Sequence, residues 1–239
     1  MKKSLWFSAL LLTLALSLTG CSALGSTLST SLSSLTGSDI DGAAYIQGQL
    51  DTAYLGKFDP AYLKMVDITE EEALETYNSG VDVEVDTFIS LTNIEYPTEE
   101  LRARLADIYK RIYAKSDYTV VSSAQQSDGS YSVKVTVRPL DTIQLLYDGM
   151  DEFMEDFEAR HADTDVDAMT DAEFDDWYEN VYDVDYQNTL ADLLESLVDK
   201  TGTLEEKSIA IQIEKDTDDY YVANDESMHI LDALIIDYN

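Results

Sequence analysis

The chain opens on one uncharged apolar block, LWFSALLLTLALSL over residues 5–18, and after Asp39 the apolar positions instead recur every third or fourth residue, or every second one. In DGAAYIQGQLDTAYLG, Ala43, Ile46, Leu50, Ala53 and Tyr54 fall on one helical face, with Asp41 placed to cap it. Asp59-Pro60 restarts the chain. Thr69 with Glu72 forms a capping box that opens a helix whose apolar positions are Leu74, Tyr77, Val81, Val85 and Phe88. The run GVDVEVD inside it alternates like a strand, so residues 80–86 read as helix or strand; the longer spacing on both sides favours helix. Pro97 and Thr98 begin another helix, with Leu101, Leu105, Ile108, Tyr109, Ile112 and Tyr113 as its buried stripe.

The period changes at DYTVVSSAQQSDGSYSVKVTVRP. Two β-rich runs flank Ser127-Asp128-Gly129, and Val133, Val135 and Val137 alternate with Lys134, Thr136 and Arg138, which predicts a hairpin with one buried face. Helical patterns follow from Asp141 to His161 and from Asp171 to Lys200. EKSIAIQIEKDTDDYYVAND then repeats the hairpin design with Ile209, Ile211 and Ile213 on one side, and a short amphipathic helix around Met228 to Ile235 ends the pattern. The order is two passes of helices then hairpin, about 39–140 and 141–239. A lone hairpin is marginal in water, so the two are expected to join into one antiparallel sheet with helices packed on one face. The fold class is therefore α+β, similar in general shape to cystatin-type and NTF2-type domains.

The opening block has the length of a signal-peptide core. Fourteen helical residues span about 21 Å, short of the roughly 30 Å hydrocarbon layer, and Lys2 and Lys3 supply the positive start. Leu18-Thr19-Gly20-Cys21, at the end of this block, resembles the lipobox of bacterial lipoproteins. That resemblance implies a diacylglyceryl group on the Cys21 thiol, cleavage before it, and anchoring on the extracytoplasmic face of the cell membrane. The expected division is a signal peptide over 1–20, lipidated Cys21 with a flexible linker over 21–38, and an acidic domain over 39–239. The linker SALGSTLSTSLSSLTGSD holds no charge before Asp39 and would reach about 20–25 Å. Lipobox, linker, acidic Tyr-rich helices and late hairpins together resemble exported lipoproteins of Gram-positive, Clostridia-type bacteria, families that imply no particular activity.

Charge narrows the partners. The formal net charge is −33, from 15 Lys and Arg against 48 Asp and Glu; without Lys2 and Lys3 it becomes −35, 13 against 48. Nucleic acid is excluded as a natural partner because phosphate binding needs clustered Lys and Arg, and anionic headgroups would repel the domain from the membrane that holds it. Cys21 is the only cysteine, so no intramolecular disulfide is available and stability must come from packing. A hydrophobic content of 45% is enough for a core.

Candidate chemistry is sparse. In DTDVDAMTDAEF, Asp163, Asp165 and Asp167 occupy positions 1, 3 and 5 of an EF-hand loop, but Ala168 stands where glycine must turn the chain and Phe174 where a bidentate glutamate belongs. Thr170 and Glu173 there read more simply as a capping box. His161 and His229 sit near predicted helix ends, and no nucleophile elbow, phosphate loop or zinc spacing occurs, so no catalytic residue, metal or cofactor is expected. Sixteen tyrosines suggest contact surface as well as core: Tyr109, Tyr113, Tyr118 and Tyr131 around the first hairpin, Tyr178, Tyr182, Tyr186, Tyr220 and Tyr221 around the second. A groove between sheet and helices is the expected ligand site. The expected role is non-catalytic, binding or structural, with an envelope protein, glycan or small molecule as partner. The alternatives are a carboxylate-dependent envelope hydrolase and a calcium-responsive adhesive module.

Overall fold

The computed structural model describes residues 40–217 and 220–238, so the expected signal peptide, Cys21 and the expected linker fall outside the described residues. Four antiparallel strands in the order β1-β2-β3-β4 form the sheet: β1 (Asp117–Gln125), β2 (Tyr131–Arg138), β3 (Lys207–Lys215) and β4 (Tyr221–Ala223). The two hairpins join as predicted, through β2 and β3. Val133 pairs with Ile211 and Tyr131 with Ile213, which puts the alternating branched residues on one buried face. Tyr131 and Tyr221 meet edge to face at 5.6 Å on that side. Gly129 turns the first hairpin at φ 90°, a conformation open to glycine without penalty. A bulge between Val120 and Ser122 leaves Val121 exposed on the outer strand.

Helices cover the buried face. Helix α1 (Gly42–Leu55) begins where the Asp41 carboxylate accepts from the backbone amides of Ala43 and Ala44. It is buried on nearly every side, and Gly48 lets the Tyr62 ring of α2 (Pro60–Val66) lie directly on its backbone. Helix α3 (Glu70–Leu91) starts at the Thr69–Glu72 capping box and runs unbroken through 80–86, so the helical spacing overrides the local alternation there. One position differs from the expected stripe: Leu74 is 45% exposed, and Ala73 takes the buried place. All six stripe residues of α4 (Glu99–Tyr113) are buried. These side chains join Phe88, Leu50, Ile46 and the inward residues of the sheet in one buried core.

The second pass departs more. After α5 (Thr142–His161), the single helix expected over 171–200 is divided into α6 (Asp171–Trp177), a π-helical segment (Tyr178–Tyr182) and α7 (Asp183–Val198). The amide of Asp183 donates to the Tyr178 carbonyl five residues back, which widens one turn. Helix α8 (Asp225–Asp232) begins at an Asn224 cap, earlier than the expected Met228. Ile235 and Ile236 are not helical. Residues 233–238 form a strap: the Ile235 carbonyl accepts from the Leu140 amide at 2.9 Å, and the Asp237 amide donates to the Leu140 carbonyl at 3.2 Å.

Candidate functional site

Two clusters of tyrosines and carboxylates stand out, one open and one closed. The open cluster is built on the π-helical segment. Phe174, Tyr178 and Tyr182 follow at intervals of four residues and stack in a ladder, with ring centroids 6.1 and 5.6 Å apart and planes within 27° and 19°. Trp177 leans on Tyr182 at 5.1 Å. Beneath them, Phe157 of α5 is fully buried and meets Tyr182 at 5.0 Å and Tyr186 at 5.3 Å. The ladder rings themselves are half-buried, so each keeps part of its surface in water while its base is fixed. Val181 and Tyr96, both nearly half exposed, extend the apolar surface.

Polar groups hold this cluster in place. His161 packs between Phe157, Trp177 and Tyr182, and its Nε2 lies 2.9 Å from the Asp185 carboxylate, which Arg160 also reaches at 3.3 Å. Asp183 is almost wholly covered under the π-helical segment. Burial raises its pKa, against hydrogen bonds from the backbone of Tyr96 and Glu95 that lower it. Burial, with a smaller effect from Glu95, also holds the Tyr178 hydroxyl protonated to higher pH than usual.

The closed cluster surrounds Glu84 of α3. Its Oε1 accepts from the Tyr113 hydroxyl at 2.6 Å and its Oε2 from the Tyr238 hydroxyl. Burial pushes the Glu84 carboxyl up to about 7, overriding the two tyrosine hydrogen bonds that pull it down. Asp232, half-buried and with its pKa also raised by desolvation, accepts from Tyr54 at 2.7 Å. Tyr118 reaches Asp51 at 2.8 Å. Neither Glu84 nor Asp232 was marked by the sequence, where each is one carboxylate among 48. The available signal was position: Glu84 falls between Val81, Val85 and Phe88 on the apolar stripe.

Of the residues singled out from sequence, Thr170 and Glu173 form the capping box with both reciprocal bonds. Asp163, Asp165 and Asp167 are exposed around a short 3₁₀ turn (Val166–Ala168), and among the described residues no group of three or more His, Asp or Glu is placed to hold a metal ion. His161 is mostly buried and bonded, and His229 is exposed on the last turn of α8. Tyr178, Tyr182 and Tyr186 do not gather at the second hairpin as expected; Tyr182 and Tyr186 pack against Phe157 of α5, and Tyr178 stacks on Phe174 and Tyr182. Among the described residues no helix is long and apolar enough to cross a membrane.

No family model matches the chain, and no curated protein matches it. Among solved structures, a crystal structure from Bacillus subtilis subsp. subtilis str. 168, of YcdA, a protein described as a lipoprotein, superposes with a TM-score of 0.53 at 14% identity, over 81% of this chain. The matched part spans 55% of that chain, and at this identity the likeness is one of fold, in agreement with the α+β arrangement of helices on an antiparallel sheet.

Proposed function

We propose that the protein is a lipid-anchored extracytoplasmic lipoprotein with a non-catalytic binding role at the cell envelope, and that the aromatic ladder is its contact surface. The observation that carries the anchor is Leu18-Thr19-Gly20-Cys21 at the end of an apolar block too short to span. The fold shared with a Bacillus subtilis protein described as a lipoprotein supports it. Two acyl chains on Cys21 would give stable attachment where one gives only marginal binding.

Binding rather than hydrolysis is favoured by where the unusual carboxyls lie. Glu84, the carboxyl whose buried position most resembles that of a catalytic acid, is covered by Tyr113 and Tyr238. The ladder, by contrast, offers rigid rings with surface already partly in water, which supplies contact area at little entropic cost. Metabolic labelling with a palmitate analogue should tag the wild-type chain and leave Cys21→Ser untagged and unprocessed; equal labelling of both would end the anchor reading. For the binding role, sedimentation of the mature chain with purified envelope should fall when Trp177 and Tyr178 are replaced together by Ala. Unchanged sedimentation would remove the ladder from the reading.

A further inference from the structure

The aromatic ladder stands in strongly acidic surroundings. Between Arg138 and Lys200 the only Lys or Arg is Arg160, against 20 Asp and Glu. Asp175 and Glu179 each follow a ladder ring by one position, so their exposed carboxylates run beside Phe174 and Tyr178. Two other elements bring charge of the same sign. Burial first, and then Glu95 in the loop after α3, disfavours ionisation of the Tyr178 hydroxyl; burial and then Glu158 of α5 do the same to Tyr182. Among the described residues no Lys or Arg is paired with these four carboxylates. Arg160 shows what such a surface can hold: its guanidinium lies 5.5 Å over the Phe157 ring while reaching Asp185 at 3.3 Å.

We infer that the ladder and the carboxylates beside it bind an extended Lys- or Arg-bearing segment of a partner protein, an inference that rests on the reading of the ladder as the contact surface. Charge complementarity chooses the occupant. Rings attract cations through their faces, and flanking carboxylates add a second attraction at the same place. At centroid separations of 6.1 and 5.6 Å the rings do not cover one another as a close-packed pair at about 3.5–4.0 Å would, so part of each face stays open. An extended segment presents same-side side chains about 6.8 Å apart, close to the ring spacing. Its cations can therefore meet successive rings. Tyr96 and Val181, each 48% exposed, offer apolar surface to the stems of those side chains. A single small ammonium would use one ring and leave the others idle. A neutral glycan would gain nothing from the carboxylates, and an anionic lipid surface would be repelled by them.

Fluorescence anisotropy of a dye-labelled peptide of alternating Lys and Ser, titrated with the full chain in detergent, tests this. Binding should weaken several-fold as sodium chloride rises from about 0.05 to about 0.5 M, and a peptide of alternating Glu and Ser should not bind. Tyr178→Leu keeps an apolar side chain but removes the ring, and should bind about two- to fivefold more weakly. Asp175→Asn with Glu179→Gln should also bind several-fold more weakly; both positions are exposed, so this pair decides the matter if Tyr178→Leu does not fold. Glu71→Gln with Glu75→Gln removes two exposed carboxylates at the same spacing from the far end of α3, and should bind as the wild type does. No binding, equal binding by the ladder and carboxylate variants, an equal loss in the Glu71 and Glu75 control, or displacement of the peptide by choline at matched charge would overturn the inference. Envelope sedimentation separates it from the reading beneath it. Loss in both the Asp175 and Glu179 variant and the Trp177 and Tyr178 alanine variant supports a cationic partner. Loss in the alanine variant alone overturns that partner and leaves the ladder as contact surface, whereas loss in neither overturns both.

Discussion

The two tyrosine–carboxylate clusters use the same side chains in opposite ways. Around Glu84 the tyrosines point their hydroxyls inward, at a carboxyl on a residue only 9% exposed. On the π-helical segment the tyrosines stack ring on ring with part of each ring in water, and the charged partner of the cluster, Asp185, is held at its side by His161 and Arg160. In the first cluster the polar end of tyrosine makes the contact, donating to a carboxyl whose proton equilibrium burial sets. In the second the flat end does, and sets a shape. Composition cannot distinguish the two; only the depth of the backbone beneath them does.

Four experiments bear on this contrast, and the largest effect belongs to the residue that anchors the open cluster in the core. Phe157→Ala removes a fully buried ring from beneath Tyr182 and Tyr186 and should destabilise the domain by about 3–5 kcal/mol, lowering Tm by about 10 °C in a thermal melt. Stability of the unmodified protein should next respond to pH. Glu84 is an acid whose folded pKa, about 7, lies above its ordinary 4.5. Its contribution is therefore fully present below 4.5 and is lost as pH rises towards 7, by at most about 3–4 kcal/mol at 1.36 kcal/mol per unit. Urea titrations at pH 5 and pH 7.5 should differ accordingly, and an equal or greater stability at the higher pH would contradict the closed character of the cluster.

Tyr113→Phe keeps the ring and removes one donor to Glu84, so it should destabilise by about 1–3 kcal/mol in the same titration at pH 7.5, and by less at pH 5. The smallest effect on folding should come from the open cluster's own surface. Trp177→Ala, at a half-buried position, should change stability by about 1 kcal/mol or less while reducing envelope binding. A loss as large as that of Phe157→Ala would mean the ladder is core and not surface.

Sequence made the first half of the fold legible because its helices carry their own start signals and uninterrupted stripes. Asp41, Thr69 and Thr98 each cap where expected, and all six apolar positions of α4 are buried. The alternation at 80–86 is resolved by the stripe continuing to Phe88. What was not legible depends on partners distant in sequence. Leu74 fits the helical period yet faces water, with no element among the described residues covering it, while Ala73 faces the core. The π-helical turn is invisible to a 3.6-residue template, which reads Phe174 to Val198 as one helix, and that turn is what moves Tyr178 and Tyr182 into the ladder. Glu84 reads as a solvated charge until Tyr238, 154 residues later, is seen against it. Period reports which face is apolar; it does not report which polar residue that face has enclosed.

That separation has a consequence for how the molecule assembles. Until residue 238 has been made and docked, Glu84 has no lid. In a partly assembled chain it remains wetted and ionised at neutral pH, as an ordinary glutamate is. Burial in the finished core raises its pKa to about 7, so between about 4.5 and 7 the closing of the core draws a proton from solution. Protons are therefore a reactant of maturation for this fold, and a moderately acidic medium should favour the closed core more than an alkaline one does.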